Sequence, residues 1–147
     1  MLRKMIILMI SIFSLFIISC DGENSILSVD NDNIIDIEIE NTNSPRVIKE
    51  NGSFSFGLRG RDYSGTTSEP VYFDTEQVVL AINLENHKSG RCVMTIKSDY
   101  NNVLFTKEIT SNIIYSEELD LDDYPEQITF NFYDFTGTLK AAVAEED

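Results

Sequence analysis

The chain has 147 residues, with 11 Lys or Arg against 25 Asp or Glu, so its formal charge at pH 7 is −14. This acidity excludes a nucleic-acid-binding protein, because binding nucleic acid depends on neutralising phosphates with basic side chains. The length suits one domain with a single core and leaves no room for a second. Two cysteines are too few for a disulfide scaffold.

The first twenty residues have the three regions of a secretory signal peptide. Arg3 and Lys4 form the basic start. Met5 to Ile18 then carry no charge, and Ser19 and Cys20 follow. A permanent membrane-spanning helix needs about 20 apolar residues, so the shorter uncharged run favours a cleaved signal peptide over a retained membrane span. We therefore predict a helical signal peptide that ends before Cys20.

The end of this stretch, Ile17-Ile18-Ser19-Cys20, resembles the lipobox of bacterial lipoproteins. In that family an aliphatic residue, usually Leu, a tolerant position and a small residue precede an invariant cysteine. The resemblance implies cleavage between Ser19 and Cys20 and attachment of a diacylglyceryl group to the Cys20 thiol. Two or three acyl chains, at ~0.8 kcal/mol per buried CH₂, hold a protein on a bilayer for practical purposes permanently. The alternative is an ordinary secretory peptide in which Cys20 is incidental.

Lipidation at Cys20 implies a bacterial cell-envelope protein attached to a membrane through this residue. Removal of the signal peptide would leave 9 basic and 25 acidic residues, a formal charge of −16. Anionic headgroups repel such a surface, so the lipid must provide the attachment. Asp21 resembles an inner-membrane retention signal of some enteric bacteria, whereas other lineages read acidic residues there as an export cue. We expect the outer membrane or cell surface, with the inner membrane as the alternative.

Residues 20–33 are predicted to be the lipidated cysteine and a flexible tether, following a signal peptide over residues 1–19. From Asp21 onward this stretch is polar and turn-rich, with no sustained period. Such a coil spans roughly 20 Å, at ~5–6 Å × √n for n residues. The remaining residues, 34–147, are predicted to form the single folded domain.

Apolar residues at every second position predict strands in this domain. Ile34 to Glu40 alternates isoleucine with acidic residues, which is typical of a strand with one buried and one wet face. Val71 to Phe73 and Ile113 to Tyr115 predict short strands. The other predicted inward positions are Val47, Phe54, Phe56, Leu58, Leu80, Ile82, Leu84, Cys92, Met94, Ile96, Val103, Phe105, Ile109, Ile128, Phe130, Phe132, Leu139, Ala141 and Val143.

Turn-forming residues separate these strands. Asn51-Gly52 predicts a type I′ hairpin turn, in which both residues have positive φ. Gly60 to Pro70 contains small turn formers, charges of both signs and no period, so it is predicted to be the longest loop. Asn86 to Gly90 predicts a turn, and Asp134 to Gly137 predicts the turn of a final hairpin.

About seven strands at intervals of roughly 8 to 14 residues predict an all-β, antiparallel β-sandwich. Val78 to Val143 resembles the small immunoglobulin-like or fibronectin-like modules of bacterial surface proteins. The likeness depends on the SDYNN turn, on Leu119-x-Leu121-x-x-Tyr124 and on Asp134-x-x-Gly137. The resemblance implies an immunoglobulin-like sandwich, with Tyr124 as the corner tyrosine of these folds. The buried tryptophan and the disulfide of antibody-type domains are absent.

No catalytic signature occurs in the chain. His87 is the only histidine and lies in a predicted turn, without partners for a general-base or metal-binding role. The nucleophile-elbow, zinc-protease, Walker and dinucleotide motifs are all missing. Cys92 shares a predicted face with Met94 and Ile96, which favours a small buried residue over a reactive or intermolecular thiol. We expect no enzyme activity and no cofactor.

Two segments are candidate binding sites. Carboxylates are the ligands that Ca²⁺ prefers, so Asp120, Asp122 and Asp123 are candidate calcium ligands, although their spacing does not match an EF-hand and favours a solvated acidic loop. Three aromatic residues beside the long predicted loop are candidates for partner binding, with core packing as the alternative. These three are Tyr63, Tyr72 and Phe73.

The sequence therefore predicts an exported, lipid-anchored envelope protein with a non-catalytic binding or structural role and an unidentified protein or glycan partner. The first alternative is a glycan- or calcium-binding surface module. The second is a hydrolase with an unrecognised site.

Overall fold

The computed structural model of the chain describes residues 36–146. Their strands pair in the order β1-β2-β6-β3-β4, and β5 also pairs with β3. Every pairing between strands is antiparallel, which confirms the predicted all-β class. No helix in the described range is long and apolar enough to cross a membrane. The six strands are β1 (Arg46–Glu50), β2 (Ser53–Pro70), β3 (Gln77–Lys97), β4 (Val103–Ile109), β5 (Ile113–Asp120) and β6 (Gln127–Glu145).

The 18-residue strand β2 doubles back on itself. The N–H of Gly52, just before β2, donates to the carbonyl oxygen of Tyr72, just after it, at 3.2 Å. A straight strand of this length would be about 60 Å long, at ~3.3 Å per residue. Because both ends of β2 meet, the sheet must be folded over.

Irregular pairing marks the fold line. The register between β2 and β6 shifts on both sides of Tyr63, and the register between β3 and β6 shifts on both sides of Ser89. Asp62, Asn86 and Asp134 have φ values of 49°, 54° and 47° there. Asn and Asp tolerate this left-handed region because their short polar side chains bond locally. Such bulges let a strand pass from one layer to the next. We call this the bent end, and the opposite end, where β2 begins and ends, the open end.

The bend divides the sheet into two layers. The first layer contains β1, the first half of β2, the second half of β6, the first half of β3, and β5. The second layer contains the remaining halves of β2, β6 and β3, with β4 at its edge. Phe56 of the first layer stacks on Phe130 of the second, with ring centroids 4.1 Å apart. The core therefore lies between the layers.

Most predicted inward positions are buried. Each large apolar side chain contributes roughly 1.5–3 kcal/mol by leaving water. Val47 and Phe105 are half-buried, and Val103 is exposed. The buried positions are Phe54, Phe56, Leu58, Leu80, Ile82, Leu84, Cys92, Met94, Ile96, Ile109, Ile128, Phe130, Phe132, Leu139, Ala141 and Val143.

Three predicted turns or loops were wrong. Gly60 to Pro70 is strand, and it pairs with β6 at Gly60, at Tyr63 and from Gly65 to Pro70. Asn86 to Gly90 and Asp134 to Gly137 are bends inside β3 and β6 rather than chain reversals. The small and polar residues there do adopt turn conformations, with positive φ at Asn86, Gly90 and Asp134. The pairing simply continues beyond them, because each neighbouring strand bends at the same level.

Other local predictions also need correction. Asn51-Gly52 does close the β1–β2 hairpin, but only Gly52 has positive φ, so the turn is not type I′. Val71 to Phe73 forms no strand. Tyr124 is 46 % exposed, and its hydroxyl makes no side-chain hydrogen bond within residues 36–146, so it is not a corner tyrosine.

Residues 36–43, which we call the crossing segment, lie over the outer face of the first layer. They form no strand, although Ile37 and Ile39 are buried and the intervening acids are exposed. Ile37 packs on Ala81 and Ala142. The segment forms a parallel bridge to β2 at Thr42, so it runs toward the bent end. The two-faced pattern was therefore predicted correctly, and the hydrogen-bonded strand was wrong.

The predicted signal peptide, lipid-bearing Cys20, tether, Ile34 and Ile35 lie outside the described residues.

Candidate functional site

The three aromatic residues predicted to bind a partner do not share a face. Tyr63 lies at the bent end, where its ring packs edge-on against Phe132 at 5.4 Å between centroids. Tyr72 and Phe73 lie at the open end. Phe73 is buried in the core, and Tyr72 is 71 % exposed. Only Tyr72 offers most of its ring to solvent.

The acidic segment does not assemble a metal site. β5 extends to Asp120, so part of the predicted acidic loop is an edge strand, and Asp122, Asp123 and Glu126 follow in the connection. An Asp123 carboxylate oxygen accepts a hydrogen bond from the backbone N–H of Tyr124 at 2.9 Å. Within residues 36–146, no group of three His, Cys, Asp or Glu side chains is placed to hold a metal ion. Calcium binding by Asp120, Asp122 and Asp123 therefore has no geometric support here.

His87 makes contacts that stabilise the bend of β3. Its Nε2 atom lies 3.0 Å from the carbonyl oxygen of Gly90, and its backbone N–H donates to Oδ1 of Asn112 at 2.8 Å. The ring also lies 6.1 Å from the Phe135 ring. These contacts join the bend of β3 to the β4–β5 connection and to the core.

Cys92 is fully buried, as predicted. Burial raises the pKa of its thiol far above the ordinary value of 9.0, because the thiolate would lose its hydration. A neutral, inaccessible thiol is not a nucleophile.

A groove of about 460 Å³ lies at the bent end, between β3 and the β4–β5 connection. Small-molecule sites usually occupy ~300–1,000 Å³. Leu84 pairs with Ile113 and Asn83 with Ile114, and because strand side chains alternate, the first pair packs toward the core and the second lies on the outer face. We call this groove the asparagine groove. Its lining is Asn83, Leu84, Glu85, Asn86, Asn112, Ile113 and Ile114.

Asn83 supplies an unused acceptor in this groove. Its Nδ2 group donates to a Glu85 carboxylate oxygen at 3.0 Å. Its Oδ1 atom is buried and has no hydrogen-bond partner among residues 36–146. A buried acceptor without a partner costs about 1–3 kcal/mol, and a ligand donor could bond to this atom only if the side chains that cover it moved. The groove therefore presents amide side chains and, at Ile114, an exposed apolar side chain.

A second groove, of about 270 Å³, adjoins the first and crosses β2, β6 and β3. Asn86 lines both grooves. The lining of this second groove contains three basic side chains and no carboxylate, and we call it the cationic groove. The lining residues are Thr42, Arg59, Gly60, Arg61, Asn86, Lys88, Thr136, Gly137 and Thr138.

Sequence reasoning missed both grooves, because it took Gly60 to Pro70 and Asn86 to Gly90 for a loop and a turn. The bend brings these stretches together from positions about 26 residues apart. The one local signal was Arg59-Gly60-Arg61, two arginines in a strongly acidic chain.

No protein-family model matches the chain, and no curated protein matches it.

Proposed function

We propose that the chain is a lipid-anchored bacterial envelope protein whose domain binds a glycan at the bent end, without catalysis. The observation that carries this proposal is the amide-rich lining of the asparagine groove, to which Asn83, Asn86 and Asn112 contribute. The two antiparallel layers facing each other support an immunoglobulin-like sandwich as the architecture, although three strands here pass through both layers.

The lipobox-like Ile17-Ile18-Ser19-Cys20 supports attachment to a membrane through Cys20. The crossing segment runs toward the bent end, with Thr42 beside Arg59. Both grooves therefore lie at the end of the domain toward which this segment runs.

A glycan suits the asparagine groove chemically. Side-chain amides both donate to and accept from hydroxyl groups, and Asn86 and Asn112 supply further amides beside Asn83. Ile114 provides an apolar side chain for the C–H face of a sugar ring, whereas Ile113 packs toward the core. Ile114 is 63 % exposed, so this surface is accessible.

An array of neutral oligosaccharides, probed with the full chain purified in detergent, tests the proposal. We expect the wild type to bind some members and Asn83→Ala to bind them at least about tenfold more weakly, because one buried hydrogen bond contributes ~1.5 kcal/mol. Asn102→Ala is the matched control, since Asn102 is exposed at the open end. Binding that survives Asn83→Ala would place the site elsewhere, and a wild type that binds no glycan would refute the function.

A further inference from the structure

We propose that the cationic groove binds a phosphate group, so that the ligand of the bent end is a phosphorylated glycan. This inference rests on the proposed function, because it assigns the second groove of the same binding end. It names the chemical class of the ligand, which the asparagine groove alone leaves open.

The three cations of this groove form no ion pair in the described part of the chain and lie together, whereas Lys97 and Lys107, which also lack one, donate to the Asn101 side chain and lie over the Tyr115 ring, respectively. Arg46, Lys49 and Arg91 pair with Glu40, Glu69 and Glu108, at 2.8, 2.8 and 3.2 Å. Arg59, Arg61 and Lys88 have no such partner in the described part of the chain. Only 9 basic residues follow the signal peptide, against 25 acidic ones, so three unpaired cations in one groove are a local reversal of charge.

Two nearby carboxylates, Asp62 and Glu85, accept hydrogen bonds from neutral side chains outside or at the rim of the groove. A carboxylate oxygen of Asp62 accepts a hydrogen bond from the Thr136 hydroxyl at 3.3 Å, and the Asp62 backbone N–H donates to the same hydroxyl at 2.9 Å. Glu85 pairs across the strands with Thr138, but its carboxylate accepts from the Asn83 amide. Neither carboxylate lines the groove.

One asparagine holds the backbone that carries the two arginines. The backbone N–H of Asn43 donates to the Arg59 carbonyl oxygen at 2.8 Å. The Asn43 side chain accepts from the Arg61 N–H at 2.7 Å and donates to the Arg61 carbonyl oxygen at 3.0 Å. The backbone at both arginines is therefore held in place before binding. Less conformational entropy is then lost when a ligand orders the two side chains.

The groove matches phosphate in charge, donors and size. Guanidinium groups bind phosphate oxygens through paired N–H donors, and a phosphate monoester carries ≈ −1.5 to −2 charge at pH 7. The hydroxyls of Thr42 and Thr138 add uncharged donors. A volume of about 270 Å³ is small for a whole ligand but sufficient for one such group. Asn86 connects it to the larger groove, where a sugar would lie.

Titration calorimetry of the full chain in detergent, at low ionic strength, tests this inference. The probes are inorganic phosphate, glucose 6-phosphate, glucose and glucuronate. We expect both phosphate probes to bind, glucose 6-phosphate more tightly, and added NaCl to weaken both. Arg61→Gln and, separately, Lys88→Gln should each weaken phosphate binding at least about tenfold, as expected for a lost charge-assisted hydrogen bond. Arg46→Gln is the matched control, because Arg46 is exposed and lies outside the groove.

Each outcome is decisive. Absence of phosphate binding, or an equal loss in Arg46→Gln, overturns the inference, and so does equal binding of glucuronate, which would indicate a carboxylate site. Unchanged melting temperatures of the variants exclude misfolding as the cause of any loss. Binding of neutral oligosaccharides without binding of phosphate would support the proposed function and overturn this inference. Binding of phosphate without binding of any glycan would support the anion site and overturn the proposed function.

Discussion

At the scale of single residues, positive φ values decide where this sheet folds. Gly90 has φ 74°, and a Cβ atom there would lie 2.3 Å from the carbonyl oxygens of Tyr133 and Asp134. Neither oxygen can move freely, since both belong to the backbone of β6. The close approach of β3 and β6 at the bend therefore requires glycine.

Gly90→Ala should destabilise the protein by at least about 2 kcal/mol, through strained backbone and displacement of β6. Urea unfolding followed by circular dichroism measures the change. Ser89→Ala is the control, with an expected loss below about 1 kcal/mol, because Ser89 is exposed and makes only a 3.3 Å hydrogen bond to Asp134. Equal stability of Gly90→Ala and the wild type would show that the bend is built differently.

Cys92 makes stability depend on pH. Its thiol ionises near the ordinary pKa of 9.0 in the unfolded chain, whereas burial keeps it neutral in the folded chain to much higher pH. The unfolded state therefore binds fewer protons than the folded state above pH 9, and folding stability falls as pH rises. Below pH 9 this contribution is fully present.

We expect the wild type to lose up to about 1.4 kcal/mol more than Cys92→Ala between pH 9 and pH 10. Urea unfolding at the two pH values measures the free energy of unfolding of both proteins. Comparison with Cys92→Ala removes the contribution of Tyr and Lys titration, which both proteins share. A thiol-specific reagent should also leave the native protein unmodified. Rapid labelling under native conditions would contradict the buried position of Cys92.

At the scale of elements, the crossing segment alternates apolar and acidic residues and buries the apolar ones without pairing as a strand. Ile37 and Ile39 lie over small residues of the first layer, including Gly57, where a Cβ atom would come within 2.9 Å of Ile39. Ala81 and Ala142 leave the space that Ile37 fills. Burial holds the start of the segment, and the Thr42 bridge and the hydrogen bonds of Asn43 to the Arg59 and Arg61 backbone hold its end.

Ile37→Ala should destabilise the domain by about 2–4 kcal/mol, as is typical of removing a buried isoleucine. Ile114→Ala is the matched control, because Ile114 is 63 % exposed and should cost less than about 0.5 kcal/mol. Thermal and urea unfolding measure both. Similar small losses in the two variants would mean that the crossing segment does not pack on the first layer.

At the scale of the whole molecule, charge is unequal between the two ends. The connections at the open end carry many carboxylates, whereas the β4–β5 connection at the bent end, residues 110–112, carries no charge. The acids of the open-end connections are Asp74, Glu76, Asp99, Asp122, Asp123 and Glu126. An anionic ligand is therefore repelled from one end and attracted to the cationic groove at the other.

Lipid attachment is tested by metabolic labelling with a fatty acid. We expect label in the wild type and in Cys92→Ala, and none in Cys20→Ala, because the thiol of Cys20 is the predicted acceptor. Label retained by Cys20→Ala would show that the lipobox prediction is wrong. Protease treatment of intact cells then shows on which side of the cell envelope the domain lies. Digestion in intact cells places the domain outside the cell, and digestion only after permeabilisation places it in the periplasm.

The faces of the long strands could be predicted from the sequence, because strand side chains alternate whatever the partner strand is. Phe54, Phe56 and Leu58 were assigned inward on this basis and are buried. The lipid anchor also remains a prediction from local sequence alone, since Ile17 to Cys20 would be read as a linear motif. The strong negative charge and the absence of catalytic motifs follow from composition in the same way.

Only the tertiary structure decided whether a turn-forming stretch ends a strand or bends it. Asn86 and Asp134 adopt the same left-handed conformation in either case, and the difference lies in whether β6 continues alongside β3 beyond them. Because pairing depends on residues distant in sequence, no local pattern reveals it. The same bend gathers Arg59, Arg61 and Lys88 into one groove, so the candidate site exists only in the folded chain.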